Sequence, residues 1–231
     1  MHIVHLWETW STLSECVRKG TASAEPVNEA RRPEWTRAFI AMMDQRARAD
    51  AAPLARAAAA ESVRRMLDVG GGSGAYSIAF AQTYPALSAD VFDLAPVVEL
   101  ARDYIHAAGL AERIGARSGD MRSDELGRGY DLLLVSAICH MFGPEENQEL
   151  FARCYRALAP GGRLLVRDFI LDPDRTSPKQ AALFALNMLV GTPHGSTYTE
   201  AEYEAWLRGA GFSRVERIQP PEMNLMVAWR D

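Results

Sequence analysis

The sequence predicts a doubly wound α/β fold, in which helices cover both faces of a mostly parallel sheet, with a helical segment in front of it. From residue 63 onward, short apolar runs alternate with stretches of helical periodicity. The first of these runs ends in a glycine cluster, and the last two, SRVERI and MNLMVAW, are close enough in sequence to pair antiparallel. We therefore divide the chain into an N-terminal helical linker or cap over 1–62 and an α/β domain over 63–231.

The first sixty residues are predicted to be helical. An amphipathic first helix is expected to end at Gly20. Its apolar residues recur at helical spacing and are Leu6, Trp7, Trp10, Leu13 and Val17. Pro33 can open a second helix, because its fixed φ suits the first helical position. An alanine-rich third helix is predicted over 53–60.

Beyond residue 62 the predicted strands and helices alternate. The predicted strands are 63–69, 88–93, 113–118, 130–136 and 163–170. The predicted helices are 75–84, 96–108, 145–158 and 178–190, with a further helix after Thr199. Strands that are joined through helices pair in parallel, which is why most of the sheet is predicted to be parallel.

Composition and charge exclude several classes of protein. With 231 residues and 48% hydrophobic content, the chain can bury one substantial core. A formal net charge of −5 argues against a nucleic-acid partner, which needs clustered Lys and Arg. No stretch approaches the roughly 18 unbroken apolar residues of a membrane span, and the three cysteines show no CxxC spacing. We expect a soluble, cytoplasmic protein without a metal site, because the histidines lack ligand spacing with acidic residues or cysteines.

The segment LDVGGGSGA at 67–75 is the most informative part of the chain. Glycines directly after a buried strand let the backbone approach a ligand above that strand. Asp93 ends the next predicted strand, where a carboxylate can accept hydrogen bonds from both ribose hydroxyls of an adenosine cofactor. Gly70, Gly72 and Ala75 also fit the GxGxxA pattern of a nicotinamide-dinucleotide site. The motif by itself therefore leaves two cofactors open.

Three features favour S-adenosylmethionine over the dinucleotide. The glycine cluster is flanked by Asp68 and lacks the spacing that a pyrophosphate usually occupies. After the third predicted strand, Asp120 can accept a hydrogen bond from an adenine amino group and Met121 can pack against the ring, although a polar turn would explain the same residues. The C-terminal half adds the turn APGGR at 159–163 before a strand, and then the terminal strand pair.

With these motifs the chain resembles the caffeate and hydroxyindole type of S-adenosylmethionine-dependent O-methyltransferases, which includes bacterial relatives that modify polyketides and pigments. The resemblance runs from about Trp7 to Phe212. Its markers are LDVGGGSG at 67–74, FDL at 92–94, GDM at 119–121, ICHMF at 138–142, LAPGGRLLVRDFIL at 158–171 and NMLVGTPHG at 187–195. It implies a class I methyltransferase sheet with an antiparallel C-terminal strand. Family members usually carry a winged-helix dimerisation domain in front, and this chain is expected to start at the linking helix.

The resemblance also assigns cofactor contacts to residues of this chain. The methionine and ribose end would be lined by Asp68, Gly70 and Gly72, the ribose hydroxyls by Asp93, and the adenine by Leu94, Asp120 and Met121. Ser136 stands where the family usually has a lysine, so that a hydroxyl would replace one cofactor contact.

His140 is the candidate general base. Methyl transfer to an alcohol or phenol requires the acceptor to lose a proton, and imidazole is the side chain suited to take it near neutral pH. His140 lies just beyond the fourth predicted strand, at the carboxyl edge of the sheet, and the family assigns the same role to this position. Asp168 is expected to orient the imidazole, with an ion pair to Arg167 or Arg163 as the alternative explanation.

Four residues are expected to contact the acceptor: Met141, Phe142, Asn187 and Met188. In the family, His140-Met141-Phe142 would be a His-Asp-Trp triplet, so the acid beside the base is missing here. Met188 matches a family methionine that packs on the acceptor ring, and a thioether suits flat, varied ligands. Phe184 is interpreted as part of the core of helix 178–190.

We therefore predict a metal-independent methyltransferase that moves the methyl group of S-adenosylmethionine to a hydroxyl of an aromatic or polyketide-like small molecule. Methylation at carbon or nitrogen stays open, as does an inactive S-adenosylmethionine-binding subunit, and a dehydrogenase ranks third. A homodimer through the N-terminal helices is possible, because a helix that exposes Trp7 and Trp10 would be an association site.

Overall fold

A computed structural model gives the fold and describes residues 7, 9–23, 33–218 and 225–231. The strands are β1 (Arg65–Val69), β2 (Ser88–Asp93), β3 (Ile114–Ser118), β4 (Tyr130–Ser136), β5 (Leu158–Arg167), β6 (Ile170–Leu171), β7 (Tyr198–Thr199), β8 (Arg214–Ile218) and β9 (Leu225–Trp229). The helices are α1 (Leu13–Lys19), α2 (Pro33–Ala57), α3 (Ala75–Thr83), α4 (Ala95–Ala107), α5 (Pro144–Ala157), α6 (Lys179–Gly191) and α7 (Glu200–Gly209). A short 3₁₀ turn, Cys139–Met141, follows β4.

The main sheet has seven strands in the order β3-β2-β1-β4-β5-β9-β8. The first five pair in parallel, whereas β9 runs antiparallel to both β5 and β8. The predicted doubly wound sheet and its antiparallel C-terminal strands are thus confirmed. Because β1 lies between β2 and β4, the connections from β1 and β4 leave the sheet on opposite faces. Open α/β sheets bind ligands at this switch point, beyond the carboxyl ends of the strands.

The core lies on both faces of the sheet, and β4 shows why its sequence is continuously apolar. Leu132 and Leu134 belong to the core under α2, α3 and α4, whereas Leu133 and Val135 belong to the core under α5 and α7. All four side chains are fully buried. A central parallel strand that is covered on both faces needs apolar residues at every position.

The helix α2 corrects one prediction, since the expected second and third helices form a single helix of 25 residues with Pro53 inside it. Pro53 is exposed, whereas Ala51, Leu54 and Ala55 are buried in the core. Burial on both sides of the proline holds the two halves of the helix against α3 and the sheet. Proline has no N–H to donate to the preceding turn, and the exposed position of Pro53 leaves this missing hydrogen bond on the solvent side. Residues of α2 pack in the same core as the sheet. The division into two segments at residue 62 stays a prediction.

The predicted strand 163–170 is also corrected, because β5 begins earlier and ends at Arg167 while β6 is a separate strand. Between them, the Asp168 carboxylate accepts the backbone N–H of Phe169 at 2.8 Å and that of His140 at 3.1 Å. These bonds turn the chain out of the main sheet. The strand β6 then pairs with β7 in a small second sheet.

The N-terminal helix ends as predicted, since Gly20 adopts a left-handed φ of 73° and its N–H bonds to the Cys16 carbonyl at 2.8 Å. Leu6, at the start of that predicted helix, and Met223 and Asn224, at the start of the last predicted strand, lie outside the described residues. Within the described part of the chain, no helix is both long and apolar enough to span a bilayer.

A buried carboxyl lies at the end of β1. Asp68 is 1% exposed, and its Oδ2 accepts a hydrogen bond from the Ser77 hydroxyl at 2.9 Å. Burial raises the pKa of Asp68 to about 7, although the bond from Ser77 opposes the shift. The folded protein therefore holds a proton at Asp68 over a pH range in which the unfolded chain does not.

We expect Pro53→Ala to raise the free energy of unfolding by about 2 kcal/mol, since proline is about 3 kcal/mol less favourable than alanine in a helix interior and restrains the unfolded chain by about 1 kcal/mol. Urea denaturation followed by circular dichroism measures the difference. Pro85→Ala, at an exposed position between α3 and β2, is the control and should give no such gain. A Pro53→Ala protein no more stable than Pro85→Ala would contradict the helix argument.

The pKa of Asp68 predicts a pH-dependent stability. An unfolded aspartate titrates near pH 3.9, so the proton bound by folded Asp68 stabilises the protein below that pH. This stabilisation is lost as the pH rises to about 7. Asp68→Asn should flatten the fall in unfolding free energy between pH 4 and 7 by up to about 1.4 kcal/mol per pH unit, as measured by denaturation across that range. Parallel curves for the two proteins would show that Asp68 is ionised when folded.

Candidate active site

The loop after β1 forms the floor of the site at the carboxyl edge of the sheet. Gly70, Gly72 and Gly74 have φ of 68°, 59° and 77°, a region that side chains other than glycine rarely adopt. A Cβ added to Gly70 would lie 2.5 Å from Ile138 Cδ1 and 2.9 Å from Met121 Cε. The positive φ of Gly70 favours glycine there, and the close contacts with Ile138 and Met121 bring three loops of the edge together.

Asp93 lies beside this loop, as its position at the end of β2 predicted. Its Oδ2 accepts the backbone N–H of Gly72 at 2.9 Å, and its Oδ1 accepts that of Leu94 at 2.7 Å. Burial raises the pKa of Asp93, and these two backbone bonds oppose the shift. Each carboxylate oxygen keeps further acceptor capacity for a ligand hydroxyl. Leu94 next to it is 50% exposed, so an apolar surface stands open beside the carboxylate.

Two other predicted cofactor residues are engaged within the chain. The Asp120 carboxylate accepts from the backbone N–H of Arg122 at 2.9 Å and from its guanidinium at 2.7 Å. The Arg122 side chain holds the pKa of Asp120 below its usual value. Sequence reasoning missed this neighbour, although an arginine two residues after an aspartate in a turn was a visible signal. Asp68 is buried beneath the glycine loop, against Gly71.

Ser136 lies at the end of β4, where its hydroxyl oxygen is buried. The Tyr76 hydroxyl, on α3, is also buried and interacts with Ser136. Burial raises the pKa of Tyr76. Ala137, the next residue after Ser136, has a left-handed φ of 57°, and this backbone turns the chain into the 3₁₀ turn.

The structure brings His140 and Asp168 together from sequence positions 28 apart. His140 Nδ1 and Asp168 Oδ1 are separated by 2.7 Å, and both residues are 8% exposed. A carboxylate can only accept, so in the neutral imidazole Nδ1 carries the proton and Nε2 keeps a free lone pair. The alternative explanation of Asp168 is not observed, because Arg167 pairs with Asp50 and Arg163 donates to backbone carbonyls.

Two aromatic rings that sequence reasoning did not place in the site lie against the imidazole. Phe184 makes an edge contact with His140, with ring centroids 4.9 Å apart and an interplanar angle of 89°. Phe184 also stacks on Phe169 at 4.2 Å. The signal for Phe184 was its spacing, because it precedes Asn187 and Met188 by three and four residues and so shares their face of α6.

The four predicted acceptor contacts differ in their exposure and in their partners. Met141 is 47% exposed, and Phe142 is half-buried. Met188 is buried on α6, whereas the amide oxygen of Asn187 accepts a hydrogen bond from Trp10 Nε1 at 3.1 Å. Asn187 thus ties the N-terminal segment to α6.

Trp10 is bound within its own chain, whereas Trp7 is 77% exposed. Of the two tryptophans expected to form an association site, Trp7 alone is left with most of its surface free. No group of three or more His, Cys, Asp or Glu that could hold a metal occurs in the described ranges.

Curated relatives share this sequence pattern. Residues 10–213 match the O-methyltransferase domain family. The chain is 44% identical over 168 residues to 3-hydroxy-5-methyl-1-naphthoate 3-O-methyltransferase of Streptomyces sahachiroi, covering 72% of this chain and 48% of that protein. It is 31% identical over 214 residues to the tetracenomycin polyketide synthesis 8-O-methyl transferase of Streptomyces glaucescens, covering 91% and 63%. The chain thus spans less than two thirds of either relative.

The fold also has relatives among solved structures. The crystal structure of human N-acetylserotonin methyltransferase in complex with SAM matches with a TM-score of 0.87 and 26% identity, covering 96% of this chain and 66% of that chain. The sheet order and the family match agree with the predicted class I methyltransferase fold. The chain therefore belongs to the O-methyltransferase domain family.

Proposed function

We propose that this protein transfers the methyl group of S-adenosylmethionine to a hydroxyl oxygen of an aromatic or polyketide-like small molecule, with His140 as the general base. The observation that carries the proposal is the pair formed by His140 Nδ1 and Asp168 Oδ1 at 2.7 Å, at the same sheet edge as the glycine loop and Asp93. The names of the two Streptomyces relatives, one of a naphthoate and one of a polyketide pathway, support the acceptor class.

The residues at the carboxyl edge fit the cofactor. The glycine loop offers close backbone approach, the carboxylate of Asp93 can accept from ribose hydroxyls, and Leu94 and Met121 provide apolar surface for an adenine ring. When bound, S-adenosylmethionine supplies an electrophilic methyl group. Asp120 can take part as an acceptor, although it shares its carboxylate with Arg122.

In the proposed reaction His140 Nε2 would take the proton of the acceptor hydroxyl, whose oxygen would gain the methyl group as the methyl–sulfur bond breaks, leaving S-adenosylhomocysteine. Asp168 keeps Nδ1 protonated and stabilises the positive charge that forms on the ring. The acceptor ring would lie near Met141 and Met188, whose thioethers adapt to flat ligands. Most of the acceleration comes from holding the two reactants in line.

An inactive cofactor-binding subunit is the second candidate, and one observation favours it. His140 is 8% exposed and Phe184 makes an edge contact with its ring, so little of the imidazole is open to an acceptor. Turnover by the wild-type protein with any phenolic acceptor decides between the two candidates. Pairing of two copies through the N-terminal helices is likewise a proposal, supported by the exposure of Trp7.

Asp93→Ala should weaken the binding of S-adenosylhomocysteine by at least about 10-fold, because a hydrogen bond to a charged group contributes about 1.5–3 kcal/mol. The variant also removes the acceptor for the N–H groups of Gly72 and Leu94, which adds to the loss. Isothermal titration calorimetry measures the affinity.

The matched control for this prediction is Asp103→Ala, which removes the same charge from an exposed position on α4. Its affinity should equal that of the wild type. If Asp93→Ala also binds as the wild type does, Asp93 does not hold the ribose. If the wild type does not bind the product at millimolar concentration, the methyltransferase proposal fails.

His140→Ala should lower kcat by about 10²–10⁴-fold, the usual contribution of a positioned general base. Asp168→Asn should lower kcat as well, because the amide cannot fix Nδ1 as a donor with the same charge. Affinity for S-adenosylhomocysteine should stay within about twofold in both, since neither residue lies on the glycine loop. Methyl transfer is followed by mass spectrometry with a panel of naphthols.

His194→Ala is the control for this pair, because His194 is an exposed histidine that faces Glu146 at 3.6 Å. It should retain wild-type kcat. Unchanged turnover in His140→Ala would show that His140 is not the general base. Positioning of the two reactants would then account for catalysis.

A further inference from the structure

The turn that carries His140 is held by few hydrogen bonds within itself. Cys139–Met141 is one 3₁₀ turn, and its local backbone bonds are Met141 N–H to the Ile138 carbonyl at 2.9 Å and Phe142 N–H to the Cys139 carbonyl at 3.2 Å. A single turn of this kind has poor hydrogen-bond geometry and is marginal alone. The position of the imidazole must therefore depend on contacts from other elements.

Asn147, in the first turns of α5, supplies one of these contacts. It is fully buried, and its Nδ2 donates to the carbonyl oxygens of Cys139 at 3.0 Å and of Phe142 at 3.2 Å. The two carbonyls flank His140 in sequence. Only the amino group of the side chain can donate to both, which settles the orientation of the amide. The hydroxyl of Tyr198 donates to the Phe142 carbonyl as well.

The oxygen of the same amide is left unpaired among the described residues. Its Oδ1 is buried and has no hydrogen-bond partner in the part of the chain that the structure describes. A buried acceptor without a donor is unfavourable, and an apolar side chain of similar size would avoid it. Asparagine at this position is thus explained by its two donated bonds and not by its packing.

Gly195, in the connection from α6 to β7, makes a second contact with the turn. A Cβ added there would overlap the carbonyl oxygen of His140 and would lie 3.1 Å from the carbonyl carbon of Met141. The Gly195 N–H is itself held by the hydroxyl of Thr192 at 2.8 Å. The backbone at Gly195 therefore packs directly against the residue that bears the imidazole.

We propose that Asn147 and Gly195 are positioning residues for His140. Asn147 holds the two carbonyls on either side of it, and Gly195 packs against its own carbonyl. Together they fix the backbone of the turn, so that Nδ1 meets Asp168 and Nε2 is directed at the acceptor. The direction of Nε2 towards the acceptor rests on the proposed function. The hold on the backbone of the turn can be tested without an acceptor.

The test measures the Nδ1–H proton of His140 by NMR of the full chain with ¹⁵N-labelled histidine, the signal being assigned by its absence in His140→Ala. Asn147→Asp keeps the size of the side chain and removes the amino group that donates to both carbonyls, and Gly195→Ala adds the overlapping Cβ. In both variants we expect the Nδ1–H to exchange with water at least about tenfold faster than in the wild type, because its local opening becomes easier. Affinity for S-adenosylhomocysteine should stay within about twofold.

Leu207→Ala is the control. Leu207, on α7, is fully buried in the core that also contains Cys139, and its truncation lowers stability by creating a cavity. Its Nδ1–H should exchange as in the wild type. Wild-type exchange in both Asn147→Asp and Gly195→Ala would overturn the proposal, and so would equally fast exchange in Leu207→Ala. If Asn147→Asp does not fold, Gly195→Ala decides alone. A wild type that fails to bind S-adenosylhomocysteine would overturn the proposed function and leave the exchange comparison valid.

Discussion

The parallel pairing of β1 with β4 is the constraint on which the site depends. It places the ends of these strands side by side, in the registers Val69 to Val135 and Asp68 to Leu134. The loop after β1 and the turn after β4 therefore start a few ångströms apart, and Gly70 meets Ile138. This one pairing brings together the glycine loop and the turn that carries His140.

Three aspartates at the ends of strands behave differently because their surroundings differ. Asp68 is enclosed beneath the glycine loop, and burial raises its pKa to about 7. Asp93 shares its carboxylate between two backbone N–H groups and stands at an open surface. Asp168 has turned inward to the imidazole and the backbone of the turn. Aspartate thus lies beneath a loop, at an open surface and against an imidazole in the three places.

The N-terminal segment belongs to the site as well as to the core. Pro53 does not divide α2, and Asp50 on this helix pairs with Arg167 at the end of β5. Farther towards the N-terminus, Trp10 bonds to Asn187 on α6. The same helix, α6, also carries Phe184, which makes an edge contact with the His140 ring.

The sequence by itself determined the local features. The bounds of most strands, the glycine loop and the position of Asp93 at the end of β2 follow from periodicity and from residue types that act within a few positions of each other. Contacts between distant residues depend on the tertiary structure, as with Asp168 against His140 and Phe184 at the imidazole. The bond from Arg122 to the Asp120 carboxylate is a local contact that sequence analysis missed. The tertiary structure also decided that α2 continues through Pro53, because burial on both sides of a residue outweighs its local helix propensity. Such choices depend on packing across the fold, which no short window of sequence contains.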